Sequence, residues 1–222
     1  MILSIENLNK HYEDKVIYKD FNVDFNKNKV NCIIGKSGCG KSTLLNLITG
    51  ISESDDEKFN ILPKSEVSYV FQEDRLIEWL TLEENMKLVG MKFYDKEELN
   101  LVVNRYLSLV EIEKHKNVYP QMLSGGIRQR ANIARAFIKP SNYIIMDEPF
   151  KSIDVKIKNE IMIKLKSIFN IELKTVVFVT HDIEEALFLA DKIFILGERP
   201  VQIKRTFENL KEVIKEDIIK FI

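Results

Sequence analysis

Apolar and polar residues alternate with a period of two at the start of the chain. Ile2 to Leu8 and Val16 to Phe25 follow this pattern, which predicts two half-exposed antiparallel strands joined by the polar turn Glu13-Asp14-Lys15. The pattern then changes. Val30 to Ile34 is an unbroken apolar run ending at Gly35, and Lys41 to Ile48 has the spacing of an amphipathic helix stopped by Gly50. Ser52 to Lys64 is polar and acidic and contains Pro63, so it reads as a loop leading into a short strand, Val67 to Phe71.

From Leu82 to Glu113 the period becomes helical, with Leu99, Val102, Val103, Tyr106, Leu107 and Val110 on one stripe. Residues 75–120 therefore read as a mostly helical insert. Beyond it the pattern predicts a helix over 126–138, a strand over 143–146 and a helix over 155–169. A strand over 175–179, a helix over 183–189 and strands over 192–196 and 201–205 follow. Such alternation belongs to the α/β class, a parallel sheet covered by helices. The segment 207–222 is amphipathic, with Leu210, Val213, Ile214, Ile218 and Phe221 on one side, and is expected to pack back as a helix.

Composition narrows the function classes. With 222 residues, the chain fits one domain: 1–74 and 121–222 as a core with an antiparallel β layer, and 75–120 as a helical subdomain. Thirty-three basic residues against 34 acidic ones leave a net charge of −1, so no global field recruits nucleic acid. Cys32 and Cys39 have neither metal-site nor disulfide-framework spacing, which points to a reducing compartment. MILSIENLNK is not an export signal, and no uncharged apolar run reaches about 18 residues, so the chain is expected to be neither exported nor membrane-spanning.

Three segments carry chemistry. Gly35-Lys36-Ser37-Gly38-Cys39-Gly40-Lys41-Ser42, followed by Thr43, fits G-x-x-x-x-G-K-[ST], a loop whose backbone N–H groups surround a polyphosphate while the next helix aims its N-terminus at the same anion. In that pattern Lys41 serves the β- and γ-phosphates and Ser42 binds Mg²⁺. Tyr143 to Met146 is an apolar strand ending in Asp147 and Glu148, where α/β sheets place ligands: Asp147 suits the metal and Glu148 a general base for an attacking water. Ser124-Gly125-Gly126-Ile127-Arg128-Gln129 opens a helix with a hydroxyl cap and two glycines, a second anion site beside an already sufficient first one.

Taken together and in this order, the motifs resemble the ATP-binding cassette ATPases, the motor subunits of ABC transporters, over nearly the whole chain. The resemblance implies a P-loop NTPase (ABC ATPase) core with a small antiparallel β subdomain and an inserted helical subdomain. It implies ATP and Mg²⁺ as ligands. Gln72 matches the Q-loop, which senses Mg²⁺ and water; Asp154, in Ser152-Ile153-Asp154, matches the D-loop; His181 matches the switch histidine at the γ-phosphate. Tyr12 matches the aromatic that stacks on adenine, with Tyr18 as a competitor. Ser124, Gly125, Gly126 and Gln129 match the signature that contacts ATP on a second cassette.

The implied partners are that second cassette, most simply another copy, polytopic permease subunits and, through them, an extracytoplasmic substrate-binding protein. The implied location is the cytoplasmic face of the cell membrane. Phe71 to Thr81 and Gly197 to Pro200 resemble the importers of nitrate, sulfonates, taurine and thiamine pyrimidine precursors. Trp79 lies where such cassettes receive a permease helix, although a tryptophan in the core of the helical lobe fits the sequence equally well. Lys36 stands in place of a common proline, Lys151-Ser152-Ile153 in place of Gly-Ala-Leu, and the segment 51–66 is short. A cassette driving export, lipoprotein extraction or signalling stays open as the alternative. A kinase leaves the Ser124 segment, Gln72 and His181 unexplained, and a GTPase lacks its Asn-Lys-x-Asp motif.

Overall fold

A computed structural model describes residues 2–55 and 62–222. The strands are β1 (Ile2–Tyr12), β2 (Lys15–Asn26), β3 (Val30–Ile34), β4 (Val67–Val70), β5 (Tyr143–Asp147), β6 (Thr175–Val179), β7 (Lys192–Leu196) and β8 (Ile203–Glu208). The helices are α1 (Lys41–Ile48), α2 (Leu82–Gly90), α3 (Lys96–Leu109), α4 (Gly125–Ile138), α5 (Val155–Glu172), α6 (Ile183–Leu189) and α7 (Lys215–Ile219). β1 and β2 form their own antiparallel sheet, and the other strands form a six-stranded sheet in the order β4-β5-β6-β3-β7-β8.

The central strands explain the unbroken apolar runs, because both of their faces are covered. Cys32, Ile144, Met146, Val176 and Phe178 join the core shared with α3, α4 and α5. Ile33, Ile145, Val177 and Val179 face the other way, into a core completed by Leu8, Phe21 and Phe25 of the hairpin and Leu44, Leu45 and Leu47 of α1. Leu82, Met86, Val103 and Leu107 of the insert belong to the first core, so α2 and α3 are packed into the domain.

Three expectations change. The helical insert is two helices, because Asp95 accepts from the N–H groups of Glu97 and Glu98, both at 2.9 Å, and so starts a new one. The last strand begins at Ile203 and runs antiparallel to β7, a hydrogen-bonded edge to an otherwise parallel sheet. Residues 207–222 do not form one helix: the end of β8, a short turn at Leu210–Glu212 and α7 divide them, although Ile218 is fully buried. The shortened segment 51–66 falls partly on residues 56–61, outside the described residues.

Candidate functional site

Sheet register gathers the motifs. Ile33 of β3 pairs with Val179 of β6, and Asp147 of β5 pairs with the same Val179. Gly35, Glu148 and His181 therefore leave adjacent strands at one level. Val70 of β4 pairs with Met146, so Gln72 emerges level with Glu148 and is exposed. This is the carboxyl end of the sheet, where α/β folds bind ligands.

The phosphate loop depends on two positive φ angles, +74° at Gly38 and +134° at Gly40, which a side chain adopts only under strain. A Cβ on Gly40 would also lie 3.0 Å from Ile17 Cγ2 and 3.1 Å from the Tyr18 hydroxyl. Lys41 is buried, and its Nζ donates to the carbonyls of Gly35 at 2.8 Å and Lys36 at 2.9 Å. Lys36 is paired with Glu198 at 2.9 Å, and Arg199 donates to the Gly38 carbonyl. The β7–β8 loop thus braces the phosphate loop from about 160 residues away. Ser37 is exposed, and Ser42 and Thr43 are half-buried.

Asp147 sits beside this loop. It is 5% exposed, shares a hydrogen bond with Ser42, and its Oδ1 is buried with no partner. Burial raises its carboxyl above the ordinary range against the Ser42 hydrogen bond, and the charge of Glu148 adds to the rise. An unpartnered hard oxygen next to a hydroxyl and a polyphosphate loop suits Mg²⁺, which keeps few protein ligands. Among the described residues no cluster of three or more His, Cys, Asp or Glu forms a closed cage.

Glu148 has a left-handed backbone, φ 45°, held by its N–H donating to the Val179 carbonyl at 3.0 Å. That turn sets its carboxylate 3.5 Å from His181 Nδ1 and 3.8 Å from Lys151 Nζ. His181 itself is largely exposed, its side chain at 69%.

The segment read as a second anion site lies at the start of α4. Ser124 and Gly125 are exposed at the start of α4, and the Ser124 side chain makes no cap hydrogen bond. Gly126 packs against the Asp154 turn so closely that a Cβ would lie 2.8 Å from the Ser152 carbonyl oxygen. Asp154 caps α5 by accepting from Lys156 N–H at 3.0 Å. Gln129 is a correction: it is 5% exposed and its amide donates to the Pro149 carbonyl at 2.9 Å, so it faces inward and braces the Glu148 strand end. Gln129 lies one turn beyond Gly125 and Gly126, on the side of α4 that packs against residues 149–153, and the Pro149 carbonyl takes up its amide.

The aromatic candidates differ in exposure. Tyr18 is 1% exposed and its hydroxyl donates to the Gly40 carbonyl at 2.9 Å, which leaves no face for a base; Tyr12 is 47% exposed. Trp79 is 78% exposed, so it is not a core residue.

Sequence reasoning missed the clamp on the segment after β4. From α4, Asn132 donates to the Phe71 carbonyl at 2.6 Å, Arg135 to the Arg75 carbonyl at 2.7 Å, and Arg128 to both oxygens of Asp74, at 2.9 and 3.1 Å, and to Glu78 at 2.7 Å. Their spacing, one helix face, was the available signal. Burial raises the Asp74 carboxyl, but the bonds from Arg128 outweigh it and hold it below the ordinary range. Arg128→Ala is expected to cost about 1–2 kcal/mol, roughly 2–8 °C in a thermal melt near neutral pH. Because the folded pKa of Asp74 is the lower one, the pair stabilises above about pH 4 and the difference between variant and wild type closes as pH falls through that depressed value. A melting difference unchanged at acid pH would contradict this account.

Residues 18–151 match the ABC transporter family. The aliphatic sulfonates import ATP-binding protein SsuB of Bacillus cereus is 33% identical over 220 residues, covering 94% of this chain and 86% of that protein. The spermidine/putrescine import ATP-binding protein PotA of Clostridioides difficile (strain 630) is 34% identical over 232 positions, covering 100% of this chain and 67% of PotA. The dimeric structure of MJ0796, a bacterial ABC transporter cassette, superposes with a TM-score of 0.85 at 30% identity, covering 96% of this chain and 100% of that one. The same cassette in a post-hydrolysis state bound to ADP and Pi superposes with a TM-score of 0.83.

Proposed function

This chain belongs to the ABC transporter family, and from that premise we propose that it is the ATP-hydrolysing motor of a membrane importer for a small solute. It binds ATP with Mg²⁺, hydrolyses it to ADP and phosphate, and works as a pair of cassettes on membrane permease subunits. Among the described residues no helix is long and apolar enough to cross a membrane. The observation that carries this reading is the convergence of the phosphate loop, the Asp147–Glu148 strand end and His181 at adjacent strand ends.

In this reading residues 1–74 and 121–222 are the ATPase core and 75–120 the helical subdomain. Backbone N–H groups from Gly35 to Thr43 hold the phosphates, and Lys41 trades its two carbonyl partners for phosphate oxygens. Ser42, Asp147 and Gln72 would hold Mg²⁺, which would neutralise developing phosphate charge. Glu148 accepts the proton of the attacking water, and His181, beside it, touches the γ-phosphate. Tyr12 stacks on adenine. Ser124, Gly125 and Gly126 meet the ATP of the partner cassette, a second copy of this chain, with Asp154 at the same seam. Exposed Trp79 meets the permease, to which an extracytoplasmic binding protein delivers the solute.

The test is capture of Glu148→Gln with Mg-ATP from detergent-solubilised native membranes, followed by mass spectrometry. A multi-span permease with a solute-binding protein is the expected result. A permease complex of export, lipoprotein-extraction or signalling type would overturn uptake, and recovery of soluble partners alone would overturn the transport reading.

A further inference from the structure

Helices α5 and α6 start at two separate strand ends of the site, and one ammonium joins them. Lys158 Nζ donates to Asp182 Oδ2 at 2.7 Å and to Glu185 Oε1 at 3.0 Å. The other Glu185 oxygen accepts from the Thr180 hydroxyl at 2.6 Å, and that hydroxyl accepts from the Asp182 N–H at 3.0 Å. Both neighbours of His181 are therefore tied to Lys158, while His181 is exposed and has Glu148 at 3.5 Å. Lys158 is itself anchored: its N–H donates to the Asp154 carbonyl at 2.8 Å, in the first turn of α5.

Glu185 is buried and Lys158 and Asp182 are partly so, with side chains 8%, 14% and 31% exposed, and the cluster borders a cavity of about 200 Å³ that Glu148 and His181 also line. A cation between two carboxylates in such a place is not interchangeable with a surface lysine, since its removal leaves two like charges facing each other, that of Glu185 out of water. Burial lowers the Lys158 pKa, but its bonds to Asp182 and Glu185 outweigh that and hold it above the ordinary value, so the ammonium stays charged. None of these groups is committed to the phosphate loop or to the metal site.

We infer that Lys158 is a positioning residue for hydrolysis, fixing the Thr180–Asp182 segment, and with it the approach of His181 to Glu148, against the Asp154 end of α5. The inference rests on the reading of Glu148 and His181 as the hydrolytic pair. A lysine on the first turns of a helix gives no sign of this in sequence, because its partners lie 24 and 27 residues away.

The experiment compares wild type, Lys158→Met and Lys158→Arg by amide hydrogen exchange over residues 178–189 and by steady-state Mg-ATP hydrolysis. Lys158→Met is expected to exchange roughly tenfold faster at 180–185, and its kcat to fall about tenfold with KM for Mg-ATP within about twofold. Lys158→Arg restores both. Should Lys158→Met fail to fold, Thr180→Val removes the two bonds of the Thr180 hydroxyl, to Glu185 and from the Asp182 N–H, and carries the same expectations. Unchanged exchange at 180–185 overturns the inference whatever the turnover, and so does a loss confined to melting temperature or to KM. Absent turnover in the wild type would instead refute the ATPase reading, and the exchange rates would still decide whether Lys158 holds the segment.

Discussion

Glu148→Gln protein is expected to bind Mg-ATP and hydrolyse it about 10²–10⁴-fold more slowly than wild type. The substitution keeps the size and planarity of the side chain but removes the basic oxygen that takes a proton from water. Geometry makes the carboxylate the specific group at stake. The left-handed turn at residue 148, fixed by the Val179 carbonyl, presents the side chain between His181 and Lys151, and an amide fits the same space. With binding intact and chemistry blocked, ATP-bound cassettes accumulate in the closed pair, so light scattering should report roughly twice the protomer mass with Mg-ATP and the protomer without it. Hydrolysis at the wild-type rate would remove Glu148 as the base.

Asp147→Asn is expected to move activity and stability in opposite directions. Asp147 is buried with one oxygen unpartnered, and its carboxyl is raised by that burial, so in the absence of Mg-ATP its charge opposes folding. The neutral amide removes that cost, and the gain is about 1 kcal/mol, roughly 2–4 °C in melting temperature near pH 7. The sign follows from the raised folded pKa: the charge penalty is complete above it and gone below the unfolded value near about 4, so the advantage of Asn disappears on acidification. Function goes the other way. Hydrolysis should fall by about 10² or more, because the oxygen left free for Mg²⁺ is lost. The stabilisation that saturating Mg-ATP gives wild type, about 2.7 kcal/mol at a hundredfold excess over Kd, should be largely absent. A variant less stable than wild type without nucleotide would show that Asp147 is a structural partner instead of a reserved metal ligand.

The motifs were legible to different depths, and the difference tracks how far apart the interacting residues lie. The phosphate loop is covalently local: its glycines, Lys41 and Ser42 stand within one turn, so spacing alone fixes where the amides and the cation go. Asp147 and Glu148 were legible for a related reason, since carboxylates ending an unbroken apolar strand must emerge at the sheet's ligand-binding edge. Gln129 is not placed by motif membership, because the carbonyl that takes up its amide belongs to Pro149, 20 residues away. Tyr12 and Tyr18 were indistinguishable until the hairpin folded onto α1 and buried one of them.

By itself, then, the sequence determined the α/β alternation, the order of the motifs and the chemistry each one offers, because short-range periodicity and backbone spacing fix these before any chain folds. Only the tertiary structure decided the strand order that brings Gly35, Glu148 and His181 to one level, the antiparallel edge strand, the exposure of Trp79 and the buried bridge from Lys158 to both sides of His181. Those features depend on contacts between residues tens to more than a hundred positions apart. Which pairs meet is set by the burial of two apolar sheet faces at once, and no local pattern records it.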